Sequence, residues 1–191
     1  MYVGIDNGLT GGVCALSRVA GLPPIEMFSM PTLVRRHGFS KTKTSKAKGI
    51  TKKTTAAATS NEIDGAALVR MIREITNRKA ATILIEECPE HAQQKSVMRS
   101  MAMSYGILLG AITTGLPECK VVIVRSGNPA DSWQRAMFGK AAQGDTKSHA
   151  LAAVRRLWPN EQWMKSERSK TPDTGLIDAA LIAEFGRIKN L

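Results

Sequence analysis

Tyr2-Val3-Gly4-Ile5-Asp6-Asn7-Gly8-Leu9-Thr10-Gly11-Gly12 reads as a strand that ends in a carboxylate and turns through glycines. A second apolar run, Val13-Cys14-Ala15-Leu16, comes at once after it. An acid at a strand tip is costly to bury, so it calls for a positive partner such as a metal or a phosphate-bound cation. The rest of the chain must then supply the other ligands.

Outward from that stretch, the pattern predicts strands over 2–6, 12–17 and 25–30, separated by Gly11-Gly12 and by Gly21-Leu22-Pro23-Pro24. Asn61 or Asp64 can cap a helix carrying Leu68, Met71, Ile72 and Ile75 on one face. Ala81-Thr82-Ile83-Leu84-Ile85 is a continuous apolar run ending in Glu86-Glu87, the pattern of a buried central strand. A helix over about 93–114, a strand over 119–125 and a short helix opening at Asn128-Pro129 come next. Asp145 caps a further helix, 159–172 is a polar loop, and the last helix runs from about Asp173 to Ile188. Three meandering strands feeding parallel strands through crossover helices predict a mixed five-stranded α/β sheet flanked by helices.

At 191 residues the chain is most simply one domain, 1–191. Cys14, Cys88 and Cys119 have no metal-ligand spacing and read as reduced thiols in or near the core. With neither an apolar signal core nor a membrane-length run, the expectation is a soluble, cytoplasmic protein. The 27 basic against 16 acidic residues give a net charge of +11, an electrostatic footprint for nucleic acid. The excess is concentrated between Glu26 and Glu62, where there is no acid. Arg35, Arg36, Lys41, Lys43, Lys46, Lys48, Lys52 and Lys53 lie there among Ser, Thr and Gly. Composition predicts a flexible basic insertion at about 34–60 that grips phosphates. Lys140 and Lys147, before and within the Asp145-capped helix, are further candidate phosphate contacts.

Two strand tips carry acids, Asp6 and Glu86, and adjacent parallel strands would bring them to one sheet edge. Asp178 is a third, set in a helix otherwise apolar or small, where Gly175, Ala179 and Ala183 form a stripe suited to close approach. Asp173 reads as the cap of that helix, with an oxygen left over for a ligand. Carboxylates converging from separate elements suit two divalent cations and phosphodiester hydrolysis. Hard oxygen donors favour Mg2+, with Mn2+ able to substitute.

Gly4-Ile5-Asp6 with its glycine turn resembles the opening of phage-type, RuvC-like Holliday junction resolvases of the RNase H-like superfamily. Ile85-Glu86 and the helix ending in Ser104-Tyr105-Gly106-Ile107-Leu108-Leu109-Gly110 resemble their second acidic strand and the helix after it. Pro129-Ala130-Asp131-Ser132-Trp133-Gln134 resembles their proline–tryptophan segment, and Gly175 through Ala183 their closing helix. The resemblance implies an RNase H-like fold with Asp6, Glu86 and Asp178 as catalytic metal ligands. It further implies a homodimer that nicks four-way DNA junctions in a bacterial or phage-infected cytoplasm, with Met101–Ile112 a candidate dimer element. The family's fourth acidic position is not matched closely here, and Asp173 is the acid within reach. Cys88-Pro89-Glu90-His91 replaces the aromatic wedge of bacterial members. Trp133 and Trp158 read as packing groups, while for Trp163 packing and base stacking both stay open.

Three functions from different classes compete. Action on flaps or forks in place of four-way junctions is a variant of the nuclease. Asp6-Asn7-Gly8-Leu9-Thr10 also fits the phosphate loop of actin-like ATPases, which need two such domains. A non-catalytic nucleic-acid-binding protein of the same fold would leave its acids without a task.

Overall fold

The computed structural model describes residues 1–47, 50–88, 95–127, 129–139, 145–164, 168–169 and 171–191, with side chains left out at 37, 39–47, 50–58 and 95–96. Lys48, Lys140 and the Pro89-Glu90-His91 segment lie outside the described residues. The strands are β1 (Tyr2–Ile5), β2 (Gly12–Leu16), β3 (Glu26–Ser29), β4 (Thr32–Ala47), β5 (Ile50–Ile63), β6 (Thr82–Glu86) and β7 (Lys120–Val124). The helices are α1 (Gly65–Ile75), α2 (Lys95–Gly115), α3 (Trp133–Phe138), α4 (Thr146–Leu157) and α5 (Thr174–Lys189).

Five strands form one sheet in the order β3-β2-β1-β6-β7. β1–β2 and β2–β3 pair antiparallel, whereas β1–β6 and β6–β7 pair parallel. This is the mixed five-stranded α/β sheet flanked by helices that the sequence pattern predicts. β1 and β6 read as uninterrupted apolar runs because both faces of the sheet are covered. Val3, Ile5, Val13, Ala15, Ile83 and Ile85 alternate into a core that includes Leu68 and Ile72 of α1 and Leu108 and Ile112 of α2. Tyr2, Cys14, Leu16 and Leu84 alternate into the opposite core with α3, α4 and α5. All three cysteines are free. Among the described residues no helix is long and apolar enough to cross a membrane.

α5 lies against bare backbone. A side chain at Gly4 would collide with the Ala179 carbonyl oxygen and the Ala183 nitrogen. One at Gly12 would meet the Gly175 backbone at 2.9 Å, and Gly11 and Gly175 form an isolated bridge. The small-residue stripe therefore does what its spacing predicts. It lets the helix run antiparallel to β1, from Gly11-Gly12 at its start to Tyr2, whose hydroxyl donates to Asn190 Oδ1 at 3.2 Å. α5 is buried on nearly all sides, and its Glu184 is ion-paired with Arg187 in the interior.

Two expectations need correction. The basic segment is not a loop: β4 and β5 pair antiparallel along most of their length as a separate two-stranded ribbon. Charge and polarity suggested a loop, but the segment is also rich in β-branched threonine, which favours extended backbone. The register sets Lys41 opposite Ala56, Lys43 opposite Thr54, Lys46 opposite Thr51, Lys52 opposite Ser45 and Lys53 opposite Thr44. No described pair sets two cations face to face, an arrangement that would be destabilising. An isolated hairpin is marginal in water, so the anchored base matters. Met30 and Ile63 are buried in the core, and Arg35 pairs with the buried Glu62 at 2.7 Å.

The second correction concerns α3. It starts at Trp133, not at Pro129, because Ser132 is the cap and accepts from the Arg135 N–H. Pro129 belongs to the turn before it, where its carbonyl accepts from the Ser132 N–H. Asp64, Asp145 and Asp173 cap α1, α4 and α5. Trp133 and Trp158 are core groups, and the polar-loop Trp163 also packs, its ring centroid 5.8 Å from that of Trp158.

The α5 contact is testable by adding one carbon. Gly4→Ala should destabilise the protein by ~3 kcal/mol or more and lower Tm by ~10 °C. Gly106→Ala adds a methyl that meets nothing within 4 Å, so Tm should hold or rise slightly. Thermal unfolding followed by circular dichroism separates the two.

Candidate active site

Register alone brings the first two acids level. Ile5 pairs with Ile85 across the parallel β1–β6 ladder, so the next residues, Asp6 and Glu86, emerge together at the carboxyl end of the sheet. Asp6 is held locally: its backbone N–H donates to Gly12 O and its Oδ1 accepts from Gly8 N at 3.0 Å. Gly8 and Gly11 thus close the turn around the carboxylate. Asn7, the next residue, donates Nδ2 to the Glu86 carbonyl at 2.7 Å and ties the two strand ends together.

Asp178 arrives from α5, whose first turn lies over Gly11-Gly12. It is half-buried in a helix that is otherwise buried around it. Burial, then the charges of Asp6 and Glu86, push its pKa up to about 8, and Lys147 only partly offsets them. Asp6 is raised by burial and by Asp173, against the opposing Gly8 hydrogen bond. Glu86 is raised by burial and by Asp6, with hydrogen bonds from Ser126 and Trp133 working the other way. Three carboxylates therefore feel one another in a poorly solvated place. None of them is ion-paired among the described residues.

Asp173 is first of all a helix cap. Its Oδ1 accepts from Gly175 N at 3.1 Å and Leu176 N at 3.3 Å, and its Oδ2 from Ser29 Oγ at 3.4 Å. Its charge still reaches Asp6. Glu87 is turned away from the cluster toward Arg125, at 3.6 Å.

Among the described residues no three His, Cys, Asp or Glu side chains stand close enough to grip an ion as they are. What converges is their charge. Hard oxygen donors that repel one another, with no ion-paired cation among the described residues, are of the chemical type that holds a divalent cation.

The expected phosphate contacts divide. Arg36 is exposed near the base of the ribbon, while Arg35, also exposed, is already paired with Glu62. Lys41, Lys43, Lys46, Lys52 and Lys53 lie along the ribbon backbone. Lys147 is exposed in the first turn of α4, close enough to Asp178 to act on its charge. Sequence reasoning missed the supporting donors. Trp133 was expected only to pack, yet its Nε1 donates to Glu86 Oε1 at 3.3 Å. An indole buried beside an acidic strand end was the available signal, because such an N–H needs an acceptor.

Beside the cluster, Asn7, Leu9 and Thr10 face Val97, Met101 and Ser104 of α2 across a groove of about 300 Å³.

No family model and no curated protein matches the sequence. Among solved structures the chain is similar to Thermus thermophilus RuvC and to T. thermophilus RuvC in complex with a Holliday junction substrate. Identity is 12% in both, with TM-scores of 0.44 and 0.43, covering 98% of this chain and 95% and 94% of those. Likeness at this level transfers no residue role.

The Asp178 carboxyl has a consequence for pH. The folded protein retains its proton up to about pH 8, whereas an ordinary aspartate releases it near 3.8. The resulting stability is full below the lower value and is lost as pH rises through the upper one. In chelator, Tm should fall between about pH 5 and pH 8. Asp178→Asn should flatten most of that slope and raise Tm at high pH by ~5 °C. A wild-type Tm that climbs over this range would refute the account.

Proposed function

We propose that the protein is a magnesium-dependent endonuclease for branched DNA that resolves four-way junctions by paired nicks. The observation that carries this reading is the cluster of Asp6, Glu86 and Asp178. Three separate elements bring like charges to one partly buried edge, where among the described residues none is ion-paired and Lys147 only partly offsets them. A fold gains nothing in stability from such a cluster, so its value lies in what it binds. The groups that would hold magnesium, or manganese in its place, are those three carboxylates, with Asp173 contributing through Oδ2.

When bound, such cations supply Lewis acidity, favouring deprotonation of an attacking water and offsetting charge on the departing oxygen. The chain's own residues do the rest. Asp6, held by Gly8, is coupled in charge to Glu86, Asp178 and Asp173 and would be the central ligand. Lys147 stands where a phosphate drawn to the cluster would meet a cation. The β4–β5 ribbon carries dispersed positive charge to more distant phosphates, which suits a substrate with more than one duplex arm.

The four-way preference rests on the motif resemblance around Asp6, Glu86 and α5. Paired nicks require two copies, and α2 supplies a face for pairing. Met103 is exposed there, and Gly106 and Gly110 leave open space beside it.

The deciding experiment is cleavage of matched duplex, Y, flap and four-way substrates in magnesium, with the nicked strands mapped. Symmetric nicks near the crossover support the reading, and cleavage confined to flaps or forks moves it to another branched substrate. Binding of every substrate with no nick in magnesium or manganese would make the protein a non-catalytic binder. Asp6→Asn should bind junctions as tightly as wild type while losing more rate than the ~10–100-fold cost of removing a supporting partner. Shortening the ribbon symmetrically within 40–57 should weaken junction binding and flatten its salt dependence, measured by fluorescence anisotropy.

A further inference from the structure

Trp133 has no exposed surface, and its indole N–H is 3.3 Å from Glu86 Oε1. An indole buried without an acceptor forfeits a hydrogen bond, and a phenyl ring would fill much of the same space without that demand. The other two tryptophans use their N–H groups differently. That of Trp158 donates to the Leu22 carbonyl, and that of Trp163 is buried with no partner among the described residues. Among the described residues, Trp133 alone of the three donates its indole N–H to an ionisable side chain.

The segment that delivers Trp133 is tied down at several points. The Trp133 N–H donates to Arg125 O at 2.9 Å, just past the end of β7. Ser132 Oγ donates to Gly127 O at 2.6 Å, and Gly127 N donates to Gln134 Oε1 at 2.8 Å. Gly127 takes a φ of 79°, a conformation that suits glycine in this tight crossing. The ring edge of Trp133 also packs on Phe138, with centroids 5.8 Å apart. β7 neighbours β6 in register, with Val124 beside Glu86, so this knot braces the strand end that bears the acid. Ser126, inside the knot, also donates a hydrogen bond to Glu86.

We propose that Trp133 is a positioning residue for Glu86: its indole N–H fixes the carboxylate so that the remaining lone pairs face the cation site formed with Asp6 and Asp178. A charge-assisted hydrogen bond to one oxygen holds the side chain in one orientation and supports its ionised form against burial. α3 is thus a brace for the site, and Ser126 is the second donor on the same carboxylate.

This inference rests on Glu86 being a metal ligand, so the test reads metal binding in the absence of DNA. Manganese is titrated by calorimetry into wild type, Trp133→Phe, Asp6→Asn and a protein with benzothienylalanine at position 133. That analogue keeps the tryptophan shape but has sulfur in place of the N–H. Both position-133 proteins should bind manganese ~10-fold more weakly or worse, the analogue with a Tm within a few degrees of wild type. If the analogue binds as tightly as wild type, Trp133 only packs and the inference falls, while the nuclease reading stands. If wild type takes up no manganese, the metal reading of the site falls and takes this inference with it. A loss of affinity confined to Trp133→Phe, with lowered Tm, assigns the effect to packing and also overturns it.

Discussion

Everything at the candidate site depends on how closely one helix can approach one strand. Gly4 on β1, with Ala179 and Ala183 on α5, leaves no side chain between the two backbones, and Gly175 lies directly on Gly11 and Gly12. Packing at this range admits no added methyl, because interiors are already close-packed. It also fixes the axial position of α5, since the stripe fits the glycines in one register. Asp178, next to Ala179, is thereby set beside the Asp6 strand tip, and Asp173 caps the helix near Ser29.

The electrostatics of the site pull against that packing. Burial and mutual repulsion raise the pKa values of Asp6, Glu86 and Asp178 together, and the nearby donors only moderate the rise. Gly8 serves Asp6, while Ser126 and Trp133 serve Glu86. These neutral donors orient carboxylates without cancelling their charge, whereas an arginine in the same place would orient and neutralise at once. Donors that set the direction of carboxylates without pairing with them would suit the exchangeable cation proposed for this site. The wider field works alongside it. Under the proposed function, a net charge of +11, concentrated in part on the ribbon, would draw a polyanion toward an acidic edge that would otherwise repel it.

The legible parts of the chain were those whose signal is local. Asp6 at a strand end, the apolar run before Glu86 and the small-residue stripe around Asp178 each declare themselves within about a dozen residues. Together they define the sheet, its parallel pairing and the acidic edge. The ribbon was misread because polar composition describes solvation, while pairing depends on backbone preference and on register with a partner strand. The abundance of β-branched threonine was the overlooked clue. The Trp133–Glu86 hydrogen bond spans 47 residues and arises only from the turn around Gly127, which no local pattern encodes. Asp173 shows a different difficulty. A cap and a ligand call for the same residue at the same place, and the contacts to Gly175 and Leu176 establish the first.

The acids that α5 brings to Asp6 are encoded far from it in the chain. While a ribosome is still making the segment before α5, β1 and β2 can pair, yet Gly4, Gly11 and Gly12 lack the surface that covers them. Glu86 can join Asp6 at that stage, but Asp178 cannot. A nascent chain would therefore carry its basic ribbon before it held a complete acidic edge. Docking of α5 would then both cover the sheet glycines and complete the acidic edge, so that the full charge cluster forms only with the packing of that helix.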